Sequence, residues 1–302
     1  MQIRMGNQVS LVVLTEAFNT GFQDYRYGAT FTPDEMANFL RVSGVAQKNC
    51  AVLTDDAGGR GLGAALLALD GHFAWCGGLA VAPEQRRQGW ATRLMAAIEQ
   101  CAGQQGCTQI SLEVLTDNLA AGTLYARMGY RRARELLIWE RPPAQTQPDE
   151  PQHRNPGVLQ PADAAHLLAE HFAWHTIQPC WQRSSAFLSR QTADTDGYLL
   201  RNALGDPIGY VLMRKPSGTN HTTGSEAPRL RILDLAVRPS GYVQTEIDHL
   251  LQALLRQFPT ARLTLVNEPK ESPFTPKLGA TGFQIVERQF EMSRMMGGTA
   301  KL

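Results

Sequence analysis

Two hydrophobic periods alternate along the first half of the chain. LTEAFNTGFQDY spaces its apolar and aromatic residues as a helix does, and TPDEMANFLR reads as the start of a second helix: Thr32 caps, Pro33 takes the first helical position and Glu35 closes a capping box. The short apolar runs NCAVLT and GAALLALD read as strands, and the glycines of DDAGGRGL between them as a hairpin turn. The strand FAWCGGLAVAP, the turn EQRRQGWA, the helix TRLMAAIEQCAGQQG, the strand TQISLEVLT, the helix NLAAGTLYARMG and the strand YRRARELLIWER complete the half.

The pattern then lapses. Residues 141–156 carry five prolines in sixteen positions with no hydrophobic period, which marks a linker. Beyond it the order returns: RILDLAVRP matches GGLAVAP, TEIDHLLQALLRQF is a helix, ARLTLV a strand, and GATGFQIVERQFEMSR echoes RMGYRRARELLIWER. Pairing Val81 with Val237 and Gly129 with Gly282 makes the intervening stretch about three residues shorter in the second copy. The chain reads as a tandem duplication, with domains at 1–141 and 157–302 and a linker at 142–156.

At 302 residues, 43% hydrophobic and 19% charged, the composition suits two globular domains with their own cores. A formal charge of +1 argues against nucleic acid or an acidic membrane as partner. The five cysteines form no CxxC pair and no metal-ligand spacing, as expected of ordinary thiols in a reducing cytoplasm. The opening MQIRMGNQVSLVVL has too short an apolar run for a signal peptide, and no segment reaches membrane-spanning length. A cytoplasmic location follows as the expectation.

The chemistry concentrates at RRQGWA, where two arginines and a glycine precede a helix. A helix start exposes unpaired N–H groups and the positive end of its dipole, so such a turn can hold phosphate. Downstream, LEVLTDNLAAGTLYARMGY supplies strand, Asn, Ala, Tyr and Gly-aromatic in order. On these two motifs the chain resembles the Gcn5-related N-acetyltransferase (GNAT) superfamily, over most of residues 8–141 and more weakly beyond. The resemblance implies an α/β (α+β) fold of two tandem domains, each a mixed, mostly antiparallel sheet flanked by helices. It also implies acetyl-CoA as co-substrate and no metal. Leu79, Ala80 and Val81 would then pair with the pantetheine arm through their backbone. Arg86, Arg87, Gln88, Gly89, Trp90, Ala91 and Thr92 would surround the pyrophosphate, and Asn118 would touch the cofactor or start its helix. Trp90 departs from the family pattern, where a smaller aliphatic residue is usual, and Tyr130 replaces a common Phe.

Acetylating an amine requires removal of a proton, since a free alkylamine with a pKa near 10 is almost wholly protonated at pH 7. On the strand SLEVL, Glu113 points opposite to Leu112 and Val114. Tyr125 follows twelve residues later on a helix. The resemblance assigns Glu113 the role of general base and Tyr125 that of general acid; the ordinary alternatives are a strand glutamate bonded to a neighbour and a core aromatic. Phe22, Asp24, Tyr25 and Tyr27 are the candidates for framing the acceptor, a small-molecule or protein amine, and Asp24 could attract an ammonium group.

Two other patterns carry less. G-x-G-x-x-A at residues 59–64 sits in a hairpin, not at a strand-to-helix turn, and so does not read as a dinucleotide site. His171 and His175 are one helical turn apart with no third ligand in recognisable spacing. The second copy has YVQTEI where the first has RRQGWA, Val266 for Glu113 and Leu278 for Tyr125, so catalysis is expected only in the first. The expected function is an N-acetyltransferase acting by direct transfer in a ternary complex, as a monomer or homodimer. The alternative is a non-catalytic acyl-CoA binding or sensing protein.

Overall fold

The computed structural model describes residues 1–26, 30–144, 157–215 and 227–297. Tyr27, residues 145–156 of the proline-rich segment and most of the polar loop near residue 220 lie outside the described residues. In chain order the elements are β1 (Gln2–Met5), α1 (Leu11–Phe22), α2 (Pro33–Ser43), β2 (Ala51–Thr54), β3 (Gly61–Asp70), β4 (Phe73–Val81), α3 (Trp90–Gln104), β5 (Gln109–Leu115), α4 (Leu119–Arg127) and β6 (Arg131–Arg141). They continue with β7 (Leu159–Ala162), α5 (Ala164–His171), α6 (Ser185–Ser189), β8 (Thr195–Arg201), β9 (Pro207–Arg214), β10 (Arg229–Val237), α7 (Val243–Gln257), β11 (Arg262–Pro269), α8 (Thr275–Ala280) and β12 (Gln284–Met295). The mixed, mostly antiparallel sheet with flanking helices is the fold class expected.

The chain forms two compact units, one of Met1–Ala133 with the segment from Glu291 onward, the other of Arg134–Phe290. The first unit includes the end of β12, from Glu291, and the second includes β6 from Arg134, so each holds a strand segment from the other sequence half, whereas the division read from the sequence follows the proline-rich segment. The exchange is chemically cheap, because equivalent strands of a duplicated sequence offer a sheet edge nearly the same pattern.

In the first unit β1, β2, β3 and β4 pair antiparallel in that order, and β5 joins β4 in parallel. The end of β12, from Glu291, completes this sheet beside β5. Helix α1 buries Leu14 and Ala17, and α3 buries Leu94, Met95 and Ile98, each of them fully. The capping box of α2 forms as its sequence dictates: Thr32 Oγ1 accepts from Glu35 N–H at 3.3 Å, and Glu35 accepts from Thr32 N–H at 2.8 Å.

The second unit orders its strands β7-β8-β9-β10-β11, with β10 and β11 parallel, and then takes residues 134–141 of β6 antiparallel to β11. Leu137 and Trp139 on that strand are buried in its core with Leu250, Leu254 and Leu263.

Candidate active site

The site of the first unit begins where β4 and β5 part. Their parallel pairing runs from Phe73↔Gln109 to Trp75↔Ser111. Immediately beyond, the β3–β4 register shifts between Leu66↔Gly78 and Leu67↔Cys76, so Gly77 is an extra residue on β4. A Cβ at Gly77 would lie 2.5 Å from the Trp75 ring, which restricts this bulge to glycine. The result is an opened edge along Leu79, Ala80 and Val81, which line a cavity of about 990 Å³.

At one end of the cavity is the turn into α3. Arg87 and Gly89 both adopt left-handed backbone, with φ of 63° and 82°, an arrangement that turns successive N–H groups toward one side. No side chain caps α3, so its first N–H groups, at Trp90, Ala91 and Thr92, remain open to a ligand. A Cβ at Gly89 would meet nothing within 4 Å. Glycine is required here by its φ, and the adjoining space is a cradle that suits a phosphate oxygen. These residues therefore fit the pyrophosphate of acetyl-CoA. Trp90 lines the cavity with Arg93 stacked on its ring at 4.8 Å, and its buried Nε1 has no hydrogen-bond partner among the described residues.

Arg86 is engaged within the protein. Its guanidinium bonds both carboxylate oxygens of Asp24, at 2.7 and 2.6 Å, while Nε donates to the Val81 carbonyl at 2.9 Å and Nη2 to that of Gly21 at 3.2 Å. Arg86 holds Asp24 below the usual carboxylate range. Two residues assigned separately, one to the phosphate side and one to the acceptor, are thus partners of each other. Arg87 and Arg127 are the other cationic side chains among the described lining residues. Gln88 lies off the lining and donates to the Glu84 carbonyl at 3.2 Å.

At the other end stands Tyr125. Asn118 caps α4 by accepting from Ala121 N–H at 3.2 Å, and it also lines the cavity. Tyr125 is buried, its ring 5.8 Å from that of Tyr130. Burial, with the Cys76 thiol and the Tyr25 phenol nearby, pushes its phenol well above the ordinary value. It remains a neutral O–H donor throughout the physiological range.

Glu113 sits elsewhere. As the alternation on β5 requires, Leu112 and Val114 are buried on one face and Glu113 points to the other. Its carboxylate accepts from the Trp75 indole N–H at 2.7 Å and is not part of the cavity lining. Phe22, Asp24 and Tyr25 do line the cavity. The buttress behind Phe22, formed by Phe18, Phe31 and Phe39 with ring separations from 4.6 to 6.0 Å, was not singled out in the sequence, although its aromatic spacing was visible there.

The equivalent place in the second unit is filled. Parallel pairing of β10 and β11 ends at Ile232↔Leu265, and beyond it lies a buried charge cluster. Asp234 accepts from Arg183 at 2.8 Å and Tyr210 at 2.7 Å and lies 2.9 Å from His175 Nε2, while Arg183 also bonds Glu268. Burial alone would raise the Asp234 carboxyl, but the facing His175 and Arg183 hold it down. The remaining cavity is about 30 Å³, room for little more than one water. His175 belongs to this cluster and not to the α5 helix, which stops at His171; the helical spacing of the two histidines is broken by a tighter turn between them.

The profile of the acetyltransferase (GNAT) family matches residues 14–130. Aminoglycoside N(6')-acetyltransferase type 1 of Serratia marcescens is 32% identical over 68 residues, 22% of this chain and 47% of that enzyme, so the match spans about half the relative's length. Among solved structures, a tandem GNAT protein from the clavulanic acid biosynthesis pathway has 18% identity and a TM-score of 0.65, with 98% of this chain and 99% of that one covered. A GNAT protein of Sphaerobacter thermophilus has 14% identity and a TM-score of 0.63, covering 97% and 95%. Residues 14–130 therefore match the acetyltransferase (GNAT) family, and the chain as a whole has the fold of the tandem GNAT proteins.

Proposed function

We propose that the first unit is an N-acetyltransferase that moves an acetyl group from acetyl-CoA to a primary amine within a ternary complex. The observation that carries this reading is one continuous cavity leading from the uncapped start of α3, past the opened edge of β4, to the buried phenol of Tyr125. When bound, acetyl-CoA supplies a thioester whose carbonyl carbon the amine attacks. The α3 N–H groups and Arg87 hold phosphate, and the β4 backbone at residues 79–81 orients the pantetheine arm. As the carbon–sulfur bond breaks, Tyr125 donates its proton to the sulfur. The proton shed by the amine passes through water to Glu113, since that carboxylate lies off the cavity lining. Removing it matters because an alkylamine with a pKa near 10 leaves only about one molecule in a thousand nucleophilic at pH 7.

Amine-dependent release of free CoA thiol, matched one for one by acetylated amine, tests the proposal. Tight acetyl-CoA binding with no thiol release for any amine offered would instead favour an acyl-CoA binding protein.

A further inference from the structure

The carboxylates Asp24 and Asp117 are already matched. Asp24 is the sole carboxylate among the described lining residues, and the Arg86 fork occupies both its oxygens. Asp117, just before the cap of α4, bonds Arg26 at 2.8 Å. Arg87 and Arg127 remain, and both are cations. The pyrophosphate that they suit would consume their charge, leaving no anion among the described lining residues to receive an additional ammonium group.

The cavity that holds the reacting phenol has an aromatic wall: Phe22, Tyr25 and Tyr125 all line it. The Phe22 and Tyr25 rings stand edge to face at 5.4 Å, and Phe18 lies 4.6 Å behind Phe22. Such a wall offers apolar area and ring edges to a planar apolar group, and no carboxylate to a second positive charge.

Resting on the acetyltransferase reading above, we propose that the acceptor is a compound bearing one amine on an aromatic or otherwise apolar body, and that polycationic amines are excluded. The single reacting ammonium gives up its proton and ends as a neutral amide, so it needs no permanent counter-ion. Every further ammonium of a polyamine stays charged, and desolvating it beside arginines is unfavourable. In this respect the site is unlike what an aminoglycoside would require.

The test compares 2-phenylethylamine with kanamycin at saturating acetyl-CoA, reading CoA thiol release and the mass of the acetylated product. kcat/KM is expected to favour 2-phenylethylamine by about 100-fold or more, the penalty of unpaired buried charge. Tyr25→Ala should lower kcat/KM for that amine about tenfold, through KM, while calorimetric acetyl-CoA affinity stays unchanged. Equal or better turnover of kanamycin would overturn the acceptor assignment and leave the transferase reading standing. Silence with both amines despite acetyl-CoA binding would overturn the two together.

Discussion

Tyr125 and Gly89 carry the account at the scale of single residues. Removing only the phenolic hydroxyl, Tyr125→Phe should lower kcat by about 10²-fold or more and leave acetyl-CoA affinity intact, as binding calorimetry and initial rates would show. Because burial raises the Tyr125 phenol, kcat should show no fall from loss of this acid up to about pH 10, the ordinary tyrosine value; an alkaline limb that vanishes in the Phe variant near pH 8 would contradict the assignment. Gly89→Ala places a side chain at φ 82° and inside the phosphate cradle. It should weaken acetyl-CoA binding about tenfold or more while costing about 1 kcal/mol of stability, as measured by titration and thermal melting. Burial also pushes the Cys50 and Cys76 thiols from an ordinary 9.0 up to about 12. With the folded values raised, their contribution to stability is complete below pH 9 and is lost as pH climbs toward 12, so Tm should decline across that window. The glycine and the tyrosine were legible in the sequence because each sits in a motif with fixed spacing. The Arg86–Asp24 fork was not, since 62 residues separate its partners and neither residue type implies the other.

Among the elements, the strand at the C-terminus has the least expected role. Arg294 on β12 bonds Glu99 of α3 at 2.7 Å, and Glu99 in turn accepts from the Tyr130 hydroxyl at 2.9 Å. Just past the strand, Met296 N–H donates to the Thr108 carbonyl at 2.8 Å. All of these residues belong to the first unit. A chain that ends at Phe290 keeps every residue lining the cavity yet exposes the edge of β5 and leaves Glu99 without its cation. Its first unfolding transition should move to lower temperature by several degrees and acetyl-CoA binding should weaken, whereas Arg294→Met should reproduce only part of the shift, about 1–2 kcal/mol. Unchanged binding and melting in the truncated chain would show the strand to be dispensable. Helices and strands with a clean hydrophobic period, such as α3 and β5, could be located from the pattern alone. Which sheet the final strand joins could not, because β6 and β12 descend from one repeat and present similar faces to either partner. β1 also escaped notice, its four residues being too few to show a period.

Among the described residues, the duplication has kept the fold twice, while the two units differ in the size of the corresponding opening. The opening past the parallel pair holds about 990 Å³ in the first unit; in the second, Arg183, Asp234 and Glu268 occupy that place and leave about 30 Å³. Buried charges matched this closely resist separation, since removing either partner strands the other in a low-dielectric interior. YVQTEI and Leu278 stand where the first copy has the phosphate turn and the phenol, but the sequence held no sign of the salt-bridged plug, whose charged members come from three separate segments. The most direct test is therefore calorimetric titration of the full chain with acetyl-CoA, reading stoichiometry before affinity. One molecule per chain, lost or much weakened in Gly89→Ala, is the expected result. Two molecules per chain would contradict the filled second site, and no binding at all would contradict the central claim that the open cavity of the first unit is built for this co-substrate.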